Sequence, residues 1–114
     1  MYQLTLERFE QLLITRFVGA LTLSEAVNLR HELEEIVAGE KVKDIILDLA
    51  LANAVDTSGL GVLVAVSALA RSCGKRLLLC HATEAVNAAL KHAAIDGFFP
   101  LLEDDEDLLA MMPD

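Results

Sequence analysis

The sequence predicts an α/β fold in which a mixed sheet of about five strands packs with about four helices. Three observations predict it. Apolar and polar residues alternate near the start, as in a β-hairpin, and later segments repeat apolar residues at helical spacing. Short, almost wholly apolar segments lie between these helices, as in buried strands. The expected order is β-β-α-β-α-β-α-β-α, in a single domain over residues 1–114.

Strands are predicted in two places in the first half of the chain. Leu4 and Leu6 alternate with polar residues, and an apolar stretch at 12–18 follows a short polar link, which indicates a hairpin ending at Gly19. Residues 45–49 are nearly all apolar and are expected to form a central strand that is covered on both faces. A loop is expected to follow.

The first helix is predicted over residues 24–38, because apolar residues recur there at helical spacing and Gly39 follows. Thr22 or Ser24 is expected to cap its N-terminus. Glu25 lies three residues after Thr22 and completes a possible capping box.

The second half of the chain continues the alternation of helices and strands. Its acidic run at 103–107 is expected to form the solvated first turn of the last helix, where negative charge is favourable beside the helix dipole. A second docking surface is the alternative interpretation of that run. The expected elements are a helix over 59–72, a strand over 77–80, a helix capped by Thr83 and ending near Gly97, a strand over 98–102, and a short helix through Leu108 and Met112.

Composition and charge exclude several classes of partner. The net charge of −9 argues against binding to nucleic acid or to an anionic membrane surface, since both require a basic field. The most apolar segment, 59–70, is too short to cross a bilayer, so no membrane insertion is expected. Cys73 and Cys80 fit reduced packing thiols, and the first residues lack an export signal. These features predict a cytoplasmic protein.

The most informative segment spans residues 55–61, between a predicted buried strand and a buried helix, where sites form in open α/β sheets. Thr57 and Ser58 fall at the helix start, where unpaired N–H groups and the dipole favour an anion such as a phosphoryl group. Asp56 precedes them and can orient a hydroxyl or cap the helix. A simple helix cap is the structural alternative.

The motifs argue against a catalytic site and against a metal site. Gly59-Leu60-Gly61 lacks the lysine of a nucleotide-binding loop, and position 56 is not the glycine that a hydrolase nucleophile elbow needs. His31, His81 and His92 show no spacing of a triad or metal site. The sequence therefore predicts no catalytic residues, no metal and no cofactor. An enzyme acting on small molecules is a third alternative that rests only on residues 56–58.

The motif Asp56-Thr57-Ser58-Gly59-Leu60-Gly61 resembles the STAS domain of bacterial anti-sigma factor antagonists. Supporting segments are Ile45-Ile46-Leu47-Asp48-Leu49 before it, Val62-Leu63-Val64 after it, Gly19-Ala20-Leu21 ahead of the first helix, and Ile95-Asp96-Gly97-Phe98-Phe99. The resemblance covers nearly the whole chain. It implies a binding module that frees a sigma factor by engaging an anti-sigma factor of the serine kinase type.

The resemblance also implies how such a module is switched. The kinase partner, which holds ATP and Mg²⁺, would phosphorylate the hydroxyl after the motif aspartate, which is Thr57 here, with Ser58 as second choice. The implied partner-binding residues are Thr22, Ser24, Asp56, Thr57, Ser58, Gly59 and Leu60. Family antagonists usually carry aspartate where this chain has Thr22. That departure favours an alternative, a STAS scaffold subunit of a lipid-transport ATPase complex or of a stressosome-like assembly.

Overall fold

The computed structural model describes residues 1–102 and 105–113 and confirms the predicted α/β order. A short 3-10 turn, Asp96–Phe98, lies between the third helix and the last strand. The strands and helices are β1 (Gln3–Phe9), β2 (Leu12–Leu21), α1 (Leu23–Gly39), β3 (Asp44–Val55), α2 (Thr57–Ser72), β4 (Arg76–Cys80), α3 (Glu84–His92), β5 (Leu101–Leu102) and α4 (Asp105–Met111).

The five strands form one mixed sheet in the order β1-β2-β3-β4-β5. β1 runs antiparallel to β2 as the predicted hairpin, and every later neighbour pair is parallel. Parallel neighbouring strands must be joined by crossover connections, which here contain α1, α2 and α3. Because crossovers share one hand and the strand order advances in one direction, these three helices lie on the same face of the sheet. In the described part of the chain, no helix is both long enough and apolar enough to cross a membrane.

Each face of the sheet has its own apolar core. On the first face, α1 contributes Leu29, Leu33 and Val37, while α2 and α3 contribute a further set of fully buried side chains. On the second face, α4 packs against a smaller cluster. That cluster consists of Leu12, Ile14, Ile46, Leu78 and Cys80, with Leu108, Met111 and Met112 packed on it. The central strands are therefore covered on both sides, as their continuous apolar sequence predicts.

The prediction that the central strand ends at residue 49 is wrong, because β3 continues to Val55. β2 also continues beyond Gly19 to Leu21, and the two extensions pair in parallel through two shifts of register, ending at Leu21 opposite Val55. Residues 50–55 are mostly small, Ala-Leu-Ala-Asn-Ala-Val, and do not alternate between apolar and polar residues. Their extended conformation is therefore attributed to pairing with β2. The extension brings the ends of both strands side by side.

Smaller differences concern the ends of elements. α2 begins at Thr57, two residues earlier than predicted, and α3 ends at His92 instead of near Gly97. The 3-10 turn occupies part of the predicted last strand, which shortens β5 to two residues. The acidic first turn of α4 is confirmed for Asp105, Glu106 and Asp107, whereas Glu103 and Asp104 lie outside the described residues.

Candidate functional site

Asp56 joins the N-termini of two helices through its carboxylate. Its Oδ1 accepts the N–H of Gly59 in α2 at 3.0 Å, and its Oδ2 accepts the N–H of Leu23 in α1 at 3.0 Å. Its own backbone N–H donates to the carbonyl of Leu21 at 3.0 Å. The bond from Gly59, and then that from Leu23, lowers the pKa of the Asp56 carboxyl. The carboxylate is therefore held charged beside two positive helix ends.

The predicted capping box at α1 is wrong, although Thr22 does occupy the N-cap position. The Thr22 hydroxyl makes no bond to the helix backbone and lies 3.1 Å from the Ser24 hydroxyl. Glu25 forms an ion pair with the amino group of Met1 at 2.6 Å. The side-chain cap that the sequence predicted from Thr22 or Ser24 comes instead from the carboxylate of Asp56, 33 residues after Leu23 in the chain.

The close approach of α2 to the end of β2 requires a glycine at position 59. A Cβ atom on Gly59 would lie 1.9 Å from the carbonyl oxygen of Leu21, far inside any real contact distance. Gly61, two residues further along α2, has open space where its Cβ would be. Gly59 and Leu60 are both buried, so these two predicted partner-binding residues hold the turn in place from within.

The two candidate phosphate acceptors occupy the first two positions of α2. Thr57 is exposed, and Ser58 is half-buried. The first turn of α2 itself contains no acidic residue, and the Asp56 carboxylate at its N-cap already accepts the Gly59 N–H. Asp56 itself uses each oxygen to accept a backbone N–H, so the carboxylate fixes the turn and is poorly suited to remove a proton from a neighbouring hydroxyl.

An exposed apolar pair beside this turn was missed by the sequence reasoning. Leu23 is 70% exposed and Val27 is 79% exposed, and the two lie one turn apart on α1. Leu23 is the residue whose N–H binds Asp56, so the pair lies next to the α2 N-terminus. A signal was present in the sequence, because both residues fall outside the stripe of apolar positions that packs inward.

A sequence profile of the STAS domain matches residues 3–108 of this chain. The chain therefore belongs to the STAS domain family. The resemblance carried by residues 56–61 is thus confirmed at the level of the family.

Solved structures show the same fold. An anti-sigma factor antagonist from Mycobacterium paratuberculosis superposes with a TM-score of 0.78 at 20% identity, covering 96% of this chain and 93% of that one. RsbS from Moorella thermoacetica, in a serine-to-glutamate variant, superposes with a TM-score of 0.74 at 20% identity, and the match covers 96% of this chain and 99% of RsbS. The Bacillus cell fate determinant SpoIIAA in its phosphorylated form superposes with a TM-score of 0.69 at 15% identity, and the match covers 95% of this chain and 98% of SpoIIAA.

Substitution of the two glycines of the motif is expected to have opposite effects. Gly59→Ala forces α2 away from Leu21 and should lower the free energy of unfolding by about 3 kcal/mol, at the upper end for an overpacked site. Gly61→Ala adds a methyl group in open space within a helix and should raise it by up to about 1 kcal/mol. Urea denaturation measures both. Equal effects would contradict the close approach at Gly59.

The charge on Asp56 should stabilise the fold in a pH-dependent way. Its folded pKa is lowered, so the contribution is complete above the unfolded pKa of about 3.9 and is lost as the pH falls through the folded pKa. Asp56→Asn leaves one N–H facing an amide NH₂ group, which should lower the thermal midpoint at pH 7 by several degrees. Thermal melts from pH 7 to pH 2 should show the two proteins converging in acid. A constant difference would contradict the assignment.

Proposed function

We propose that this chain is a cytoplasmic regulatory binding module of the anti-sigma factor antagonist type, switched by phosphorylation of a hydroxyl in the turn at residues 56–59. The observation that carries the proposal is the arrangement at the start of α2. Two hydroxyls, Thr57 and Ser58, lie at a helix N-terminus that a charged Asp56 fixes, beside an exposed apolar pair on α1. Binding surface and modification site are then one continuous region.

The related structures support this reading of the site. The Mycobacterium paratuberculosis protein is described as an anti-sigma factor antagonist, the SpoIIAA structure is a phosphorylated form, and the RsbS structure is a serine-to-glutamate variant. These descriptions belong to those proteins, and each of them shares the fold of this chain. We propose that this chain likewise binds an anti-sigma factor and that phosphorylation controls the binding.

In the proposed reaction, the partner supplies the catalytic groups, ATP and Mg²⁺. The acceptor hydroxyl attacks the γ-phosphorus of ATP, an O–P bond forms, and the bond to the β-phosphate oxygen breaks so that ADP leaves. A base of the partner takes the hydroxyl proton, because both Asp56 oxygens are engaged in backbone bonds. Thr57 is the first choice of acceptor and is the more exposed residue of the two, with Ser58 second.

The added phosphate would weaken binding without unfolding the domain. It brings about −1.5 to −2 charge to an already acidic chain of net charge −9. In the free protein, a phosphate on the exposed Thr57 would stay hydrated, and the dipole of α2 would offset part of its repulsion from Asp56. In a complex, the same charge must be desolvated against an apolar contact around Leu23 and Val27, which is costly. The switch therefore acts on the interface and leaves the core unchanged.

One observation favours a second candidate function. Thr22, at the start of α1, provides no negative charge, and its hydroxyl lies against that of Ser24. A surface without that charge also suits a constitutive STAS scaffold in a lipid-transport ATPase complex or a stressosome-like assembly. Co-purification of the tagged chain from its native host distinguishes the two functions: a kinase-fold protein supports the switch, and a transporter ATPase supports the scaffold.

Phosphorylation is expected on one of the two hydroxyls that follow Asp56. Incubation of the chain with its co-purified kinase partner and Mg²⁺-ATP should add one phosphate, which intact-mass and fragment mass spectrometry locate. Thr57→Ala should abolish the modification if Thr57 is the acceptor, and Ser58→Ala is the matched control that identifies the other case. Absence of phosphate from both hydroxyls in the presence of an active kinase would sink the proposal.

The apolar pair on α1 should contribute directly to the partner interface. Leu23→Ser combined with Val27→Ser should weaken binding of the unphosphorylated chain by about 10-fold or more, the effect of about 1.4 kcal/mol. Leu109→Ser is the control, because this side chain is comparably exposed on α4. Calorimetric titration measures the affinities, and circular dichroism checks the fold. Unchanged affinity in the double variant would place the interface elsewhere.

A further inference from the structure

The second face of the sheet brings together three side chains that the sequence spacing did not connect. Asp48 lies on β3, Cys80 is its direct partner on β4, and His81 follows Cys80. Their nearest oxygen, sulfur and nitrogen atoms all lie within 4.8 Å of one another. The backbone of His81 is left-handed, with φ of 54°, which turns its ring toward the side of the sheet that Cys80 occupies.

From this cluster we infer a binding site for a divalent transition metal of the zinc class, held by Asp48, Cys80 and His81. The nature of the donors selects the metal. A thiolate and an imidazole favour zinc and its neighbours over magnesium or calcium, which prefer oxygen ligands alone. Three protein ligands leave one position open in a tetrahedral site.

The distances match the edges of a tetrahedral site. His81 Nδ1 lies 3.2 Å from Asp48 Oδ1 and 3.8 Å from Cys80 Sγ. Ordinary zinc bond lengths at a tetrahedral angle place such pairs about 3.4 Å and about 3.6 Å apart. The third pair, the Asp48 oxygen and Cys80 Sγ, lies within 4.8 Å, so metal binding draws this oxygen and the sulfur closer together. Two of the three ligand pairs are thus already near the spacing of a tetrahedral zinc site.

Two of the three ligands, His81 and Asp48, make hydrogen bonds to neighbouring groups that fix their orientation, as ligands in metal sites commonly do. His81 Nε2 lies 2.8 Å from Asp105 Oδ1, so the ring nitrogen that faces away from the cluster has a carboxylate partner. Asp48 Oδ1 also accepts the N–H of Ala50 at 3.0 Å. We therefore assign Asp105 as a positioning residue that holds the His81 ring with Nδ1 turned toward the cluster.

The local charge suits a divalent cation. Asp48 and Asp105 place two carboxylates at the cluster, and a metal that binds the Cys80 sulfur displaces the thiol proton. Arg16 is a nearby cation, with its Nε 3.8 Å from Asp48 Oδ2, and it also pairs with Glu7. The carboxylates therefore favour a cation at this position. Cys80 is buried while the His81 side chain is about one-third exposed, so the cluster is reached from solvent on the His81 side.

Titration of the full chain with Co²⁺ tests the site, because a thiolate ligand gives a sulfur-to-cobalt absorption band and a tetrahedral site gives intense visible bands. The wild type should bind one Co²⁺ with both signals, and Zn²⁺ should displace it and raise the thermal midpoint. Cys73→Ser is the matched control, since Cys73 is the exposed cysteine, and it should leave both signals unchanged. Cys80→Ser should abolish the thiolate band.

His81→Asn provides a second variant that keeps the left-handed backbone accessible. It should weaken binding at least 10-fold while circular dichroism shows a folded protein, and Asp105→Asn should weaken it about 10-fold through loss of the outer partner. A wild type without a thiolate band overturns the proposal, as does a band that depends on Cys73. Unchanged affinity in His81→Asn also overturns it, and unchanged affinity in Asp105→Asn overturns the positioning role.

Discussion

The carboxylate of Asp56 accepts one backbone N–H from each of two helices, and the geometry of the candidate site depends on this pair of bonds. A single side chain can reach both helices because β2 and β3 end side by side, with Leu21 opposite Val55. The chain enters α1 just after one strand end and enters α2 just after the other. The two helix N-termini therefore meet, and a negative charge between them is favourable.

The remaining features of the site follow from this junction. The helices can begin so close together only because Gly59 has no side chain to strike the Leu21 carbonyl. The approach fixes Thr57 and Ser58 on the surface at the start of α2 and leaves Leu23 and Val27 exposed beside them. In the proposed switch only the charge of the surface changes, so this turn keeps its two backbone bonds to Asp56.

The sequence predicted the features that depend on residues close together in the chain, namely the order of helices and strands and one helix cap. The order of elements follows from hydrophobic periodicity, and the Thr83 cap is confirmed by a bond of 3.2 Å from Val86. Non-local contacts could not be predicted in this way. The bond from Leu23 to Asp56 joins residues 33 apart, and the extension of β3 depends on pairing with β2. The meeting of Asp48, Cys80 and His81 depends on strand register and on a left-handed residue, neither of which has a periodic signal.

Amide hydrogen exchange of Leu23 and Gly59, followed by NMR in the wild type and in Asp56→Ala, measures the junction most directly. Loss of one carboxylate should make both amides exchange faster together, although they belong to different helices. In a phosphorylated wild type, both amides should stay protected while partner affinity falls. Continued protection of Leu23 in Asp56→Ala, or loss of protection on phosphorylation, would contradict the account of a fixed junction with a switchable surface.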